Sequence, residues 1–566
     1  MRAKIKRMKS KILFLFIIPL FLYVILLPAM PLMEPDEARY SDIPRLMNST
    51  GDYITPHLKH VIYLEKPPLC YWATALLFKV FGENEFSSRL FVGLCSWGCI
   101  ILVFYMGTFF RDERVGLYSA GVLSTFLYPF ILGRINVLDI PLTFFVCFAT
   151  WAGYRYITGN GQKKVWVYFL YIASALAFLT KGLIGVVFPF AILVLWLLID
   201  KRWRDIFRLI SPIGIIIFLA ISSPWIILVQ KANKDFLWFF FIQEHFLRYS
   251  TKMHHRDATV LYYVPVVILG TLSWCAFLFQ AMKGGTLQSY SLFKGANRRF
   301  LIIWILFIFT FFSISSSKLI PYIAPVFLPL AVIFGNLFRL YEDRITGVQE
   351  DTGRIHLYHA PIILQSLLFV TLLLLPPFIK ETKLGGDLVI LHSEKWLSLI
   401  ILPIFAQIAI IFLPDLVKRI WKRGWFMTVY ILSALFLGSL VFPASDFLTP
   451  YKSAYPVAQA IKLFIPADQE LFQYGINVYG IDFYNKIRTP VVDDFGELSY
   501  GINQLSPDER NRYFLSSEQF FKLCKKKGNV YCVTQYKERL EKLKKRIPNV
   551  EVLWSNGAFY LLRLGC

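Results

Sequence analysis

The sequence predicts an α-helical integral membrane protein of about thirteen transmembrane helices, followed by a small C-terminal α/β domain. Three observations carry that prediction. Apolar stretches long enough to cross a bilayer recur between residues 12 and 444. Hydrophobic residues make up 56% of the 566-residue chain and charged ones only 17%, where a soluble protein holds about 25% charged residues. Alternate connections between the apolar stretches are rich in Lys and Arg, as they are on the cytoplasmic side of a membrane.

The predicted spans lie near residues 12–33, 87–109, 115–133, 136–154, 166–180, 182–199, 207–230, 260–282, 300–314, 319–338, 359–379, 396–414 and 425–444. The basic N-terminal run before Ile12 is followed by an apolar part too long for a cleaved leader and without a small-residue cleavage site. A retained first helix with a cytoplasmic N-terminus is therefore expected. Counting from it, the cytoplasmic loops carry Arg111 and Arg114, Lys163 and Lys164, Lys201 with Arg202 and Arg204, Lys294 with Arg298 and Arg299, and Lys418 with Arg419, Lys422 and Arg423. The long connections 34–86 and 231–259 then fall on the outer face. Their mixture of aromatic and charged residues predicts amphipathic helices lying in the interface, the first loop above all.

The formal charge is +23, and the tail 444–566 holds 17 Lys and Arg against 13 Asp and Glu, so the membrane part carries +19. Because that excess sits in short loops, it reads as an orientation signal and as contact with anionic lipid, not as a nucleic-acid surface. The predicted division is a membrane domain over 1–444 and a soluble outer domain over 445–566. In the latter, 471–476, 530–533 and 559–564 look like strands, and 453–464 and 537–546 like helices. Cys524 and Cys532 either pair in an oxidising compartment or stand as two reduced core thiols.

Ionisable residues near spans are costly and point to function. In this chain they gather on the outer face: Asp36 and Glu37 just beyond the first span, Glu65 and Lys66 before Pro67-Pro68, Asp139 after Val137-Leu138, Lys181 between Thr180 and Gly182, Glu244 and His245 with Arg248, and Lys318 with Tyr322. Taken singly, Asp36 and Glu37 are helix-N-terminal acids, Asp139 is a helix cap, Lys181 a snorkelling lysine and His245 a surface histidine. Their coincidence on one face suits group transfer from an anionic, membrane-embedded donor. Lys66, Arg248 and Lys318, with Tyr63 and Tyr322, supply donors for a phosphate. Asp36 or Asp139 can orient or deprotonate an acceptor. Glu65 and His245 form a candidate pair of divalent-metal ligands, and Glu37 and Lys181 are candidate substrate contacts.

The stretches Asp36-Glu37-Ala38-Arg39-Tyr40, Gly51-Asp52-Tyr53-Ile54-Thr55-Pro56-His57-Leu58 and Tyr63-Leu64-Glu65-Lys66-Pro67-Pro68 resemble the aminoarabinose (4-amino-4-deoxy-L-arabinose) transferases of lipid A. These are C-type membrane glycosyltransferases related to the protein O-mannosyltransferases. The resemblance runs on through Asp139, Lys181, Glu244-His245, Arg248 and Lys318 to Tyr322 and into the tail.

It implies an inverting glycosyltransferase of the bacterial inner membrane with a periplasmic C-terminal domain. The donor would be an undecaprenyl-phosphate sugar and the acceptor a phosphate of lipid A or a related glycolipid, with no nucleic-acid partner. Asp36 and Asp139 would be the essential acids, Glu65 and His245 ligands of zinc or magnesium, and Lys66, Arg248 and Tyr322 the surroundings of the lipid phosphate. Transfer to a protein hydroxyl and transport of the lipid-linked sugar are the alternatives. The absence of an internal repeat and the one-sided clustering of charge weigh against transport.

Overall fold

The computed structural model describes residues 11–247, 259–275, 296–345 and 393–566, with 12, 160, 162, 273 and 421–423 excepted and 366 and 370 added. Helices make up most of the described residues before 453. After a helical run of mixed pitch over 13–25, the longer α-helices among the described residues are α1 (Asp36–Thr50), α2 (Leu69–Phe81), α3 (Glu85–Phe110), α4 (Glu113–Thr125), α5 (Asp139–Thr158), α6 (Val165–Lys181), α7 (Ile184–Ile199), α8 (Pro212–Ala232), α9 (Ala296–Ile314), α10 (Phe327–Ile345), α11 (Ser393–Ile420) and α12 (Trp425–Lys452). Five helical segments among the described residues are long and apolar enough to cross a membrane: Glu85–Phe110, Pro212–Ala232, Asn297–Ile314, Ile320–Asp343 and Trp425–Lys452. Shorter apolar helices, including Val165–Lys181 and Ile184–Ile199, pack between them. In a bilayer only segments that satisfy their own backbone hydrogen bonds survive, which is why apolar runs become helices here.

Three expected spans differ in detail, among them 207–230, where extended Ile210 separates Ile206–Leu209 from α8. The stretch expected as one span over 115–133 is broken after Thr125 by extended Phe126, and a six-residue helix Leu127–Leu132 follows. Pro129 has no N–H to give back to the preceding turn, so α4 cannot run through it. The stretch 319–338 begins as a 3-10 turn, Ile320–Val326, carrying Pro321 and Pro325, before α10 takes over. The span expected over 359–379 lies almost wholly outside the described residues, as do residues 276–282 of the span expected over 260–282.

The first long loop holds α1 and α2, with a small antiparallel pair between them, β1 (His57–Leu58) and β2 (Val61–Ile62). The tail is a six-stranded mixed sheet in the order β5-β4-β3-β6-β8-β7, made of β3 (Leu471–Tyr474), β4 (Val491–Val492), β5 (Phe514–Leu515), β6 (Asn529–Gln535), β7 (Asn549–Ser555) and β8 (Phe559–Gly565). The first four in space are parallel, and β8 and β7 complete the sheet antiparallel. Cys524 pairs with Cys566, and Cys532 stays a buried free thiol. This corrects the expected Cys524–Cys532 alternative. Cys532 sits in β6 pointing into the sheet core, whereas Cys566 follows β8 at a Cα–Cα distance of 5.6 Å from Cys524.

The tail is docked on the first loop. Ala38, Tyr40, Ile43, Met47 and Tyr71 of the loop share one buried cluster with Tyr479, Val491, Leu498, Ile502 and Phe514 of the tail. Lys59, fully buried, reaches Asp482 Oδ2 at 2.9 Å and donates to Thr489 Oγ1 at 3.1 Å. Glu34 accepts from the backbone N–H groups of Tyr479 (3.2 Å) and Gly480 (2.6 Å). A Cβ at position 480 would stand 2.6 Å from the Glu34 Oε1, so the close approach needs glycine. Burial pushes the Glu34 carboxyl up to about 8, with the two N–H groups opposing that rise.

Candidate active site

Asp139 is the first residue of α5 and Lys181 the last of α6, and the adjacent, packed helices bring them together. α6 stops there because Gly182 takes φ +85°, a conformation that glycine adopts without strain. Lys181 Nζ donates to Asp139 Oδ1 at 2.6 Å, and the same ammonium lies 4.8 Å from the centre of the Tyr322 ring. The two side chains are only 14% and 11% exposed, where a paired charge is stronger than at a free surface.

A second group stands at the turn before Pro67-Pro68. Lys66 Nζ donates to Glu244 Oε2 at 3.3 Å and to the Glu65 backbone carbonyl at 2.9 Å, and lies 3.8 Å from Glu65 Oε2. The Tyr63 hydroxyl donates to Glu65 Oε2 at 3.0 Å. Burial raises the Glu65 carboxyl; Lys66 opposes that shift and Glu244 adds to it.

Both groups open on one cavity of about 550 Å³. Glu65, Lys66, Asp139, Lys181, Glu244 and Tyr322 form its polar part, and Leu142, Val146, Val187, Phe188, Phe311 and Phe312 its apolar walls. A charged head region continuing into hydrocarbon walls matches an amphiphile better than a wholly polar solute.

The remaining residues singled out in the sequence take other places. Asp36, at the start of α1, pairs with Arg39, whose other end pairs with Glu497 of the tail. The Arg39 guanidinium also lies 5.1 Å from the centre of the Tyr40 ring and 5.6 Å from that of Tyr63, so Asp36 reaches the Glu65 group through Arg39 and Tyr63. Glu37 faces inward instead: Arg89 Nη2 donates to its Oε2 at 2.7 Å, and the backbone N–H groups of Met33 and Asn136 also donate to it. It braces the first loop on α3. Lys318 is buried and donates to the Ser315 carbonyl at 2.6 Å, beside the cavity. The His245 side chain and all of Arg248 lie outside the described residues. The structure adds Arg39 and Glu497 to the site and gives Glu244, already singled out in the sequence, its place beside Lys66. Glu244 and Arg39 were visible as charged neighbours of the motifs, whereas nothing in the sequence signals Glu497.

Among the described residues, no three His, Cys, Asp or Glu side chains cluster as metal ligands. Glu65 and Glu244 nonetheless converge on one cationic centre, the Lys66 ammonium, and paired carboxylates are the donor set that a hard divalent cation takes.

Comparison with known proteins adds to this geometry. A family model described as dolichyl-phosphate-mannose-protein mannosyltransferase matches residues 65–228. An undecaprenyl phosphate-alpha-4-amino-4-deoxy-L-arabinose arabinosyl transferase 1 of Proteus mirabilis is 33% identical over 60% of this chain and 61% of its own length. The match thus spans under two thirds of that relative. The corresponding transferase of Edwardsiella ictaluri is 26% identical over 96% of both chains. Among solved structures, ArnT from Cupriavidus metallidurans bound to undecaprenyl phosphate superposes with a TM-score of 0.80 at 24% identity, covering 98% of this chain and 97% of that one, which establishes the likeness of fold.

Proposed function

We propose that this chain is a member of the aminoarabinose transferase family of polyprenyl-phosphate-sugar glycosyltransferases, to which its matches point, and that it moves 4-amino-4-deoxy-L-arabinose from undecaprenyl phosphate to a phosphate of lipid A. Transfer takes place at the outer face of the bacterial inner membrane, with the tail on the periplasmic side. The cavity carries this reading, because its apolar walls suit a polyprenyl chain and its charged mouth suits the phosphate and sugar.

In the reaction the bond between the anomeric carbon and the undecaprenyl-phosphate oxygen breaks, and the leaving phosphate keeps the electron pair. An oxygen of the acceptor phosphate forms the new bond on the opposite face, inverting the centre. Lys66, and Lys181 alongside Asp139, offset the charge that grows on the leaving phosphate, with Tyr63, Lys318, Tyr322 and Arg248 completing its surroundings. A lipid A phosphate is already anionic, so Asp36 orients the acceptor and the sugar amine and does not abstract a proton. Asp139 holds the Lys181 ammonium over Tyr322. Glu65 and His245 are the residues that would hold a zinc or magnesium ion, which when bound neutralises phosphate charge.

The test uses purified protein in proteoliposomes with undecaprenyl-phosphate aminoarabinose and lipid A, followed by mass spectrometry. A gain of one aminoarabinose on a lipid A phosphate is expected. Sugar found on protein hydroxyls and absent from lipid A would replace this reading with the mannosyltransferase-like one.

A further inference from the structure

Between β4 and β5 the tail makes two short turns, Gly496–Leu498 and Ser499–Ile502, which lie over both long loops of the membrane part. Glu497 pairs with Arg39, whose other end pairs with Asp36. Three residues on, the Tyr500 ring stacks on Phe239 with centroids 3.9 Å apart. Phe239 belongs to the π-helical segment Trp238–Leu247, which delivers Glu244 to Lys66. Directly after Tyr500, Gly501 is pressed so closely on β2 that a Cβ would overlap the Ile62 carbonyl. Leu498 and Ile502 are buried in the cluster shared with α1.

The two loops belong to segments about 200 positions apart in sequence, and single contacts between side chains of such loops are weak against the entropy of ordering them. A turn held on a rigid sheet lowers that cost for both loops together. We infer that tail segment 496–502 positions two parts of the active site at once, Glu497 acting through Arg39 on Asp36 and Tyr500 acting through Phe239 on the helix that carries Glu244. The inference rests on the glycosyl-transfer reading above. Neither Glu497 nor Tyr500 lines the cavity, so both are positioning residues and not catalytic ones.

The test combines kinetics with hydrogen exchange on the full-length protein. Glu497→Gln and Tyr500→Ala each lower kcat by about tenfold with KM for the polyprenyl donor changed less than about twofold, the pattern of lost alignment. In an Arg39→Gln background, Glu497→Gln adds no further loss, since its effect runs through that guanidinium. Glu497→Asp and Tyr500→Phe restore most of the rate.

Exchange is independent of activity. Combining Glu497→Gln with Tyr500→Ala speeds amide exchange in 36–50 and 238–247 while 529–535 keeps its protection. Multiplicative losses in the Arg39→Gln background, or faster exchange that includes β6, would mean that the segment only stabilises the tail and would overturn the inference. A wild-type chain that transfers no sugar counts against the functional reading alone, because the exchange arm still decides the positioning role.

Discussion

Lys181 and Asp139 meet at 2.6 Å where the ends of two packed helices converge on the cavity. The two side chains are only 14% and 11% exposed, so neither can be removed without stranding the other.

Asp139→Asn should therefore lower sugar transfer by about 100-fold, the scale of losing one preorganised charge partner at a reacting phosphate. Lys66→Ala should do the same while the protein still inserts. Mass spectrometry of lipid A from cells expressing each variant reads the outcome, with membrane-fraction blots reporting insertion. Near-normal modification in both variants would remove the proposed site.

Stability of the docked tail should fall as pH rises. Glu34 is raised in the folded protein to about 8, above its unfolded value of about 4.5. Between those values the folded state holds a proton that the unfolded chain has released. Its contribution is complete below about 4.5 and is lost as pH rises through about 8. Thermal unfolding of the wild type and of Glu34→Gln at stepped pH tests this: the wild type loses stability over that window, and the variant, which cannot titrate there, has a flatter profile.

Lys59 and Asp482 are both fully buried at 2.9 Å. Lys59→Met should destabilise the loop–tail contact by about 3–5 kcal/mol, because it leaves Asp482 charged and unpaired. Adding Asp482→Leu should recover much of that loss. Limited proteolysis after residue 452 measures it, and a double variant no more resistant than Lys59→Met would contradict the pairing.

The Cys524–Cys566 disulfide closes a sequence separation of 42 residues. Cys524→Ser should cost the tail roughly 2–5 kcal/mol and leave Cys532 unlabelled by thiol reagents under native conditions, since it is buried. Peptide mapping without reduction should recover 524 linked to 566; a 524–532 link would refute the pairing.

If Glu65 and His245 hold a divalent ion, dialysis against a chelator should lower transfer, and zinc or magnesium should restore it. Glu65→Gln should be slow and insensitive to both treatments. Full activity after chelation, with metal content verified as nil, would exclude the metal from the reaction.

Much of the helical plan was legible because apolar runs report directly on where a backbone must satisfy itself. The breaks were not. Phe126 ends α4 because of Pro129 three residues later, and the turn at Ile320–Val326 depends on how two prolines pack. In the tail, β6 and β8 stood out as apolar strands, whereas two-residue β4 and β5 are too short to leave a pattern and exist through their parallel neighbours.

By itself the sequence determined that this chain crosses a membrane repeatedly, that it ends in an α/β domain, and which ionisable residues stand beside spans. Those properties follow from composition and spacing along the chain. Only the tertiary structure decided what each charge does. Asp36 and Glu37 are adjacent and chemically alike, yet Glu37 is locked to Arg89, 52 positions away, while Asp36 joins an Arg39 held from the tail by Glu497, 458 positions from that arginine. The reason is physical: a carboxylate's role is set by which cations and N–H groups surround it, and those neighbours are assembled by folding from segments that sequence order does not relate.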